Sequence, residues 1–367
     1  MKVICEHCGR SQEFSFSDWR CTCGGAWYTD EVCAIDKTRI DQNDQTIWRY
    51  SRFFPKELQK KEASLSAGGT PLLPMQFAGQ RICVKMDSMN PTGSFKDRGV
   101  EFMMNSLKAQ SVQDVVEDSS GNAGASVAAY AARLGMRAAI YAPESASPAK
   151  ISQISLFGAD VHLIPGARMN ATQALLNALD SRVIYASHAY NPIYLLGQQT
   201  VAWEVWEQLN FEVPDWVVVP VGQGGHLLGY YEGFRALKQA GQINKLPGII
   251  AVQPQRLAPI CDANDQDWQE WQAVPAPTTP SAAEGLAITH PVRWKHILRA
   301  IRESGGFCVR VSEEQIITAQ RDMAKQGFFI EPTSAVVPAA LEEVYGKIGN
   351  GQRIVISLTG NGLKSIH

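Results

Sequence analysis

One stretch, Asn90-Pro91-Thr92-Gly93-Ser94-Phe95-Lys96-Asp97-Arg98-Gly99, constrains this chain more than any other. It puts Lys96 in the turn that opens a helix. Pro91 and Gly93 break the preceding extended segment, and Val100, Phe102, Met103, Met104 and Leu107 form an apolar helical run behind it. Burial there would disfavour the ammonium form and lower the lysine's pKa, leaving a free amine able to attack a carbonyl. Most lysines are exposed and do no such chemistry, so the reading depends on other stretches of the chain.

Several such stretches exist. Val219-Pro220-Val221-Gly222-Gln223-Gly224-Gly225-His226 joins an apolar strand to a helical run. Its glycines free several backbone N–H groups to turn inward, and the helix start adds positive potential, which suits a phosphate; a plain strand-to-helix turn is the alternative. His226 either touches the phosphate or caps the helix. Ser119-Ser120-Gly121-Asn122 offers hydroxyls and amides for a carboxylate and a side-chain amide for a phenolic oxygen, or simple N-capping by the serines. Thr359 follows the last apolar strand, while Glu331 to Ala335 reads as a helix start capped by Thr333 or Ser334.

With Gly69-Thr70-Pro71-Leu72 and Thr359-Gly360-Asn361-Gly362-Leu363-Lys364, these runs resemble, in order, the threonine synthases and their relatives among the fold type II pyridoxal phosphate enzymes. The resemblance implies an α/β fold of the tryptophan synthase β type, with two parallel-sheet domains, pyridoxal 5'-phosphate as cofactor, and usually a homodimer. It assigns Lys96 as the catalytic lysine, with Phe95, Asn122, Gly222, Gln223, Gly224, Gly225, His226 and Thr359 around the cofactor. Ser119, Ser120 and Ala123 would hold the α-carboxylate of a small amino-acid substrate. Thr359 would meet the pyridine nitrogen; a neutral hydroxyl cannot keep that nitrogen protonated, so the ring should be a weak electron sink that favours prompt loss of a leaving group. The implied reaction is elimination or replacement at Cβ or Cγ.

The chain departs from its relatives at one informative place. Those handling O-phosphohomoserine carry an arginine two residues after an Asn-Pro pair, and here Asn191-Pro192-Ile193-Tyr194 puts a tyrosine there. Tyrosine cannot replace the guanidinium fork that pairs with phosphate. A phosphorylated substrate then requires Lys150, Arg168 or His188 to supply the cation. Ala283-Glu284-Gly285-Leu286-Ala287 also resembles the matching stretch of amino acid dehydratases more than that of threonine synthases. The alternatives are a dehydratase or ammonia-lyase acting on threonine, serine or diaminopropionate, and a pyridoxal phosphate-binding regulatory protein without turnover.

The N-terminus reads as a separate module. Cys5, Cys8, Cys21 and Cys23 form two close pairs that can converge on one tetrahedral structural Zn2+, and roughly 30 residues have too small a core to fold without a staple. His7 could replace one thiolate and Cys33 could be a spare ligand. Residues 1–33 are thus expected to be a zinc ribbon, 34–80 a connector and the start of the large cofactor domain, 81–190 a smaller α/β domain with the Asn122 loop, and 191–367 the large domain. Short apolar runs from Val115 to Leu358 alternate with helical ones, an α/β pattern in which ligands sit at the carboxyl ends of strands. A net charge of -2 gives no basic excess for nucleic acid. With no signal-like start or long apolar run, a cytoplasmic protein without membrane contact is expected.

Overall fold

Every apolar run expected to be a strand between Val115 and Leu358 falls on one in the computed structural model, which describes all residues except 30, 32, 78, 167, 181 and 366–367. The chain divides into two units: Met1–Gly69 with Asn90–Thr200 and the residues from Lys364 onward, and Thr70–Met89 with Val201–Leu363. Residues 81–89 therefore lie with the second unit and 191–200 with the first.

The first unit begins with a three-stranded antiparallel sheet, β1 (Lys2–Cys5), β2 (Ser11–Glu13) and β3 (Trp27–Tyr28), in the order β2-β1-β3. The sulfurs of Cys5, Cys8, Cys21 and Cys23 lie within 4.8 Å of one another. Gly25 is required there, because a Cβ on it would come within 2.7 Å of Cys5 Sγ. Residues 34–69 form only 3-10 turns between extended stretches. They reach the helix that follows Lys96.

That helix is α1 (Lys96–Ala109); after β4 (Leu72–Phe77) and β5 (Gln80–Lys85) of the second unit, it opens the α/β part of the first. There follow β6 (Asp114–Glu117), α2 (Asn122–Leu134), β7 (Arg137–Pro143), α3 (Pro148–Leu156), β8 (Asp160–Ile164), α4 (Arg168–Ala178) and β9 (Val183–Tyr185). The four strands are all parallel, in the order β8-β7-β6-β9. Alanine-rich α2 stops at Gly135, whose φ of 62° is the left-handed C-cap that glycine adopts without strain. Helix α5 (Pro192–Gln208) carries the chain from this unit into the next.

The second unit holds β10 (Trp216–Pro220), α6 (Gly225–Gln239), β11 (Gly248–Pro254), α7 (Pro259–Asp265), α8 (Trp294–Glu303), β12 (Phe307–Val311), α9 (Glu313–Lys325), α10 (Pro332–Ala339), α11 (Leu341–Ile348) and β13 (Ile354–Ser357). Its sheet runs β12-β11-β10-β13-β5-β4, parallel except for the edge strand β4. The central strands are continuous apolar runs, as sheets covered on both faces require. Val218, Ile250, Val309 and Ile356 pack with Val336 and Leu341 in one core. Lys85 is fully buried and pairs with Glu204 at 2.5 Å, its other protons going to the Thr70 carbonyl and Gln208. Strands β4 and β5 were not read from the sequence, where Pro74 and charged Arg81 and Lys85 interrupt the apolar pattern.

Helix α1 is more polar than its packing. Asp97, Arg98 and Glu101 are all fully buried. Glu101 accepts hydrogen bonds from Trp48 Nε1 (2.5 Å), Ser64 Oγ (2.6 Å), the Ala67 N–H (3.1 Å) and the Tyr130 hydroxyl (2.7 Å). One carboxylate thus fastens the irregular connector to α1 and α2. Glu101→Ala would strand these buried donors and should lower stability by about 3–5 kcal/mol, measured as a reduced urea midpoint.

Candidate active site

The turn before α1 is fixed by the residue after the lysine. Asp97 accepts from the Thr92 N–H and hydroxyl, both at 2.7 Å, and from Ser126 Oγ of α2 at 2.5 Å. Lys364 Nζ donates to the Thr92 carbonyl at 2.8 Å, so the turn is held from both sides. The Phe95 carbonyl accepts from Gln198 Nε2 at 3.2 Å, and the Phe95 ring centroid lies 4.6 Å from Lys96 Nζ. Desolvation lowers the Lys96 pKa to about 8, Glu117 pulling it up and Arg168 pushing it down. The free amine is accordingly within reach at neutral pH.

Helix α2 begins at Asn122 with Gly121 as N-cap, and no side chain caps it. This disposes of capping by the serines: Ser119 Oγ accepts instead from the Gly121 N–H at 3.4 Å. The Ser119 carbonyl approaches so closely that a Cβ on Gly124 would come within 1.9 Å of it. The uncapped first turn, with its positive end, is a place for a carboxylate. Ala123 is buried and can contribute only its backbone there.

Two ionisable groups stand at the carboxyl ends of neighbouring parallel strands, and the sequence suggests a role for His188 alone. Glu117 ends β6, His188 lies just past β9, and His188 Nδ1 is 2.6 Å from Glu117 Oε1 with both residues buried. Burial and then Asp118 push the Glu117 carboxyl well above the usual range, against Lys96 and Arg168. Burial, with Lys96 and Arg168, holds the His188 imidazole well below its own. A charged residue closing the otherwise apolar run of a fully buried strand was the signal available for Glu117.

In the second unit, α6 starts at Gly225 with Gly224 as N-cap, again without a capping side chain and without an acidic residue in the first turn. Gly224 has a φ of 81°, and a Cβ on it would come within 2.2 Å of Ile297 Cδ1. Gly222 likewise abuts the Gly285 carbonyl, where a Cβ would sit 3.1 Å away. The loop is therefore narrow backbone leading into a helix start without a side-chain cap, the arrangement that binds phosphate. Thr359 is buried after β13, its N–H and that of Gly360 donating to Ser334 Oγ at 3.0 and 2.8 Å.

The sequence of residues 63–360 matches the family model of the pyridoxal-phosphate dependent enzymes. The chain belongs to this family. It is 33% identical over 374 aligned residues to the threonine synthase of Methanocaldococcus jannaschii, covering 98% of this chain and 92% of that one. The threonine synthase of Methanosarcina acetivorans is 32% identical, covering 90% and 83%. Among solved structures, maize serine racemase superposes with a TM-score of 0.70 at 20% identity, covering 80% of this chain and 88% of that one. The fungal L-serine ammonia-lyase of Rhizomucor miehei gives 0.69 at 20% identity, covering 80% and 93%. The fold is that of the fold type II pyridoxal phosphate enzymes, and the chain is a pyridoxal phosphate-dependent lyase of the threonine synthase-like kind.

Several expected details of this family member are rearranged. Ser334 ties down the Thr359 turn, while the N-cap of α10 is Glu331, which makes no capping bond through its side chain. Gln223 turns its amide oxygen to the Val292 N–H at 3.2 Å. His226 sits in the first turn of α6 with its Nε2 2.6 Å from Ser357 Oγ, so its imidazole braces β13. Cys33 stands apart from the four-cysteine group, with Sγ 3.9 Å from Gln199. Of the three candidate cations, Lys150 is buried, the His188 imidazole is held neutral against Glu117, and exposed Arg168 lies near enough to act on Lys96, Glu117 and His188 alike. Tyr194 is itself buried, packed on Gly99 so closely that a Cβ there would meet its ring at 2.4 Å.

A lysine with a pKa of about 8 is roughly a tenth free amine at pH 7. In the cofactor-free protein, acylation of Lys96 should therefore rise with pH along a curve with its midpoint near 8, where an ordinary lysine would still be rising beyond pH 10. Site-resolved mass spectrometry of pulse-labelled protein gives the midpoint.

Proposed function

We propose that this protein eliminates or replaces a substituent at Cβ or Cγ of a small amino acid, with Lys96 as the group that moves the α-proton. The observation that carries this reading is the desolvated Lys96 amine at the head of α1, in a turn locked by Asp97. The residues fit pyridoxal phosphate. The bare, glycine-framed start of α6 (Gly222, Gln223, Gly224, Gly225 and the His226 N–H) suits its phosphate, Asn122 its ring hydroxyl, and the buried Thr359 hydroxyl its pyridine nitrogen. When bound, the cofactor supplies an electron-withdrawing ring that acidifies the Cα–H of an amino acid attached to it.

The chain's own groups do the rest. The uncapped start of α2, with Ser119, Ser120 and the Ala123 N–H, holds the α-carboxylate and so orients the Cα–H bond. The Lys96 amine, neutral for a useful fraction of the time, accepts that proton. Thr359, being neutral, would leave the pyridine nitrogen of a bound cofactor without a full proton and would so favour early departure of the leaving group. Identity to threonine synthases over nearly the whole chain supports a second reading, formation of threonine from O-phosphohomoserine. Tyr194 in the arginine's place speaks against it.

The four N-terminal cysteines are proposed to hold a structural Zn2+. Sulfur pairs at 3.4 Å (Cys5 and Cys23) and 3.7 Å (Cys8 and Cys21) match the separations of roughly 3.8 Å that four thiolates at about 2.3 Å from one ion must have. All four positions being protein ligands, the ion would be closed to substrate. Within the proposal the enzyme is a cytoplasmic homodimer; no helix among the described residues is long and apolar enough to cross a membrane.

Two outcomes are expected. Lys96→Ala should lose the lysine-linked absorbance band of the cofactor and all turnover, and retention of that band would remove the assignment. Cys5→Ser should lower zinc content and thermal stability while the cofactor stays bound, as read by metal analysis and absorbance on the same sample. The leaving group is settled by product analysis: ammonia and keto acid from a β-substituted amino acid establish the lyase, phosphate and threonine from O-phosphohomoserine the synthase.

A further inference from the structure

The Glu117–His188 pair is the one buried ionisable cluster of the first unit, among the described residues, that neither builds the fold nor belongs to the cofactor residues. Asp97 and Glu101 spend their oxygens on structural donors. Glu117 is approached by His188 alone: Oε1 meets its Nδ1 at 2.6 Å and its backbone N–H also favours the charged carboxylate, while Oε2 is buried without a hydrogen-bond partner among the described residues. Leaving such an oxygen unmet costs about 1–3 kcal/mol, and buried acceptors without partners point to a ligand that supplies the donor.

Its position says which ligand. Glu117 ends β6, two residues before Ser119 and five before Asn122, at the carboxyl edge of a parallel sheet where substrates bind. It lies close enough to Lys96 for each to move the other's titration. His188 packs edge-on to Tyr194, ring centroids 6.1 Å apart, and Tyr194 is the residue at the arginine's position. Lys96 thus has an acid beside it, held by a neutral imidazole that packs on a phenol, with the Arg168 guanidinium acting on Lys96, Glu117 and His188 from the exposed side. An acceptor oxygen in such a place attracts a hydroxyl or amino group and repels a phosphate dianion.

We propose that Glu117, held by His188, binds the hydroxyl or amino substituent on Cβ of the substrate and supplies the proton with which that substituent leaves as water or ammonia. The inference rests on the proposed function and narrows its substrate class. For a hydroxyl substrate the step balances as follows. The Cα–H bond breaks with its proton going to the Lys96 amine, and its electron pair becomes the Cα–Cβ double bond. The Cβ–O bond breaks with its pair going to oxygen, which takes the proton shared by Glu117 and His188. Lys96 ends with one proton more and the pair with one fewer, and transfer from the ammonium to the carboxylate restores both.

The test compares leaving groups in the holoenzyme. Glu117→Gln keeps the shape and a hydrogen bond to His188 but has no proton to give. It should slow elimination from serine about 100-fold or more, the usual worth of a general acid, and elimination from β-chloroalanine, whose chloride needs no proton, by far less. Binding is read separately from the shift of the cofactor's absorbance band: wild-type protein should bind serine about tenfold or more tightly than O-methylserine or O-phosphoserine, which leave Oε2 without a donor. Equal losses with serine and β-chloroalanine, or tighter binding of the phosphorylated compound, would overturn the proposal while leaving the proposed function intact. If Glu117→Gln does not fold, the wild-type binding series decides alone. A band that no amino acid moves would remove the proposed function, and this inference with it.

Discussion

The hydrogen bonds of Asp97 set the conditions for the first unit's chemistry. A carboxylate without exposed surface accepts the N–H and hydroxyl of Thr92, five residues back, and the hydroxyl of Ser126 on a different helix. The first two close the turn that carries Lys96; the third fastens that turn to the helix that starts at Asn122. The lysine and the α2 helix start are therefore positioned by one group. The same enclosure desolvates the lysine amine, so the geometry and the lowered pKa have a common origin.

Three buried carboxylates of this unit, Asp97, Glu101 and Glu117, show how the same chemistry is put to different ends. Asp97 and Glu101 are each met by several donors, which is what a buried carboxylate needs to be structural. Glu117 is met on one side by an imidazole and on the other by nothing among the described residues. Partner count, more than burial or charge, separates the groups that hold the fold from the one left available to a ligand.

Much of this was legible in the amino-acid order, for physical reasons that differ by element. The parallel strands announced themselves because sheets covered on both faces demand continuous apolar runs, as in Val217 to Val219 and Ile354 to Ile356. The glycine loop before His226 and the Lys96 turn could be read because close backbone approach leaves few residue choices. Strands β4 and β5 were hidden by the buried ion pair of Lys85 with Glu204, since a lysine in a core strand looks like a surface residue until its partner is known. The roles of Ser334 and His226 were missed for a related reason: each is decided by a contact more than 20 positions away, with Thr359 and Ser357. His188 was visible only as a possible cation. Its partner at Glu117, 71 positions earlier, reverses that reading.

The carboxylate of Glu101 also ties the order of distant segments to one helix. Its donors come from Trp48, 53 residues before it, from Ala67, 34 before, and from Tyr130, 29 after. The connector has no strand and only 3-10 turns of its own between residues 34 and 69, so little local structure precedes docking. Its anchor is a side chain of α1, on the face shared with α2. The connector thus owes its order to the helix that begins with the reactive lysine, and the N-terminal module tethered to it shares that dependence.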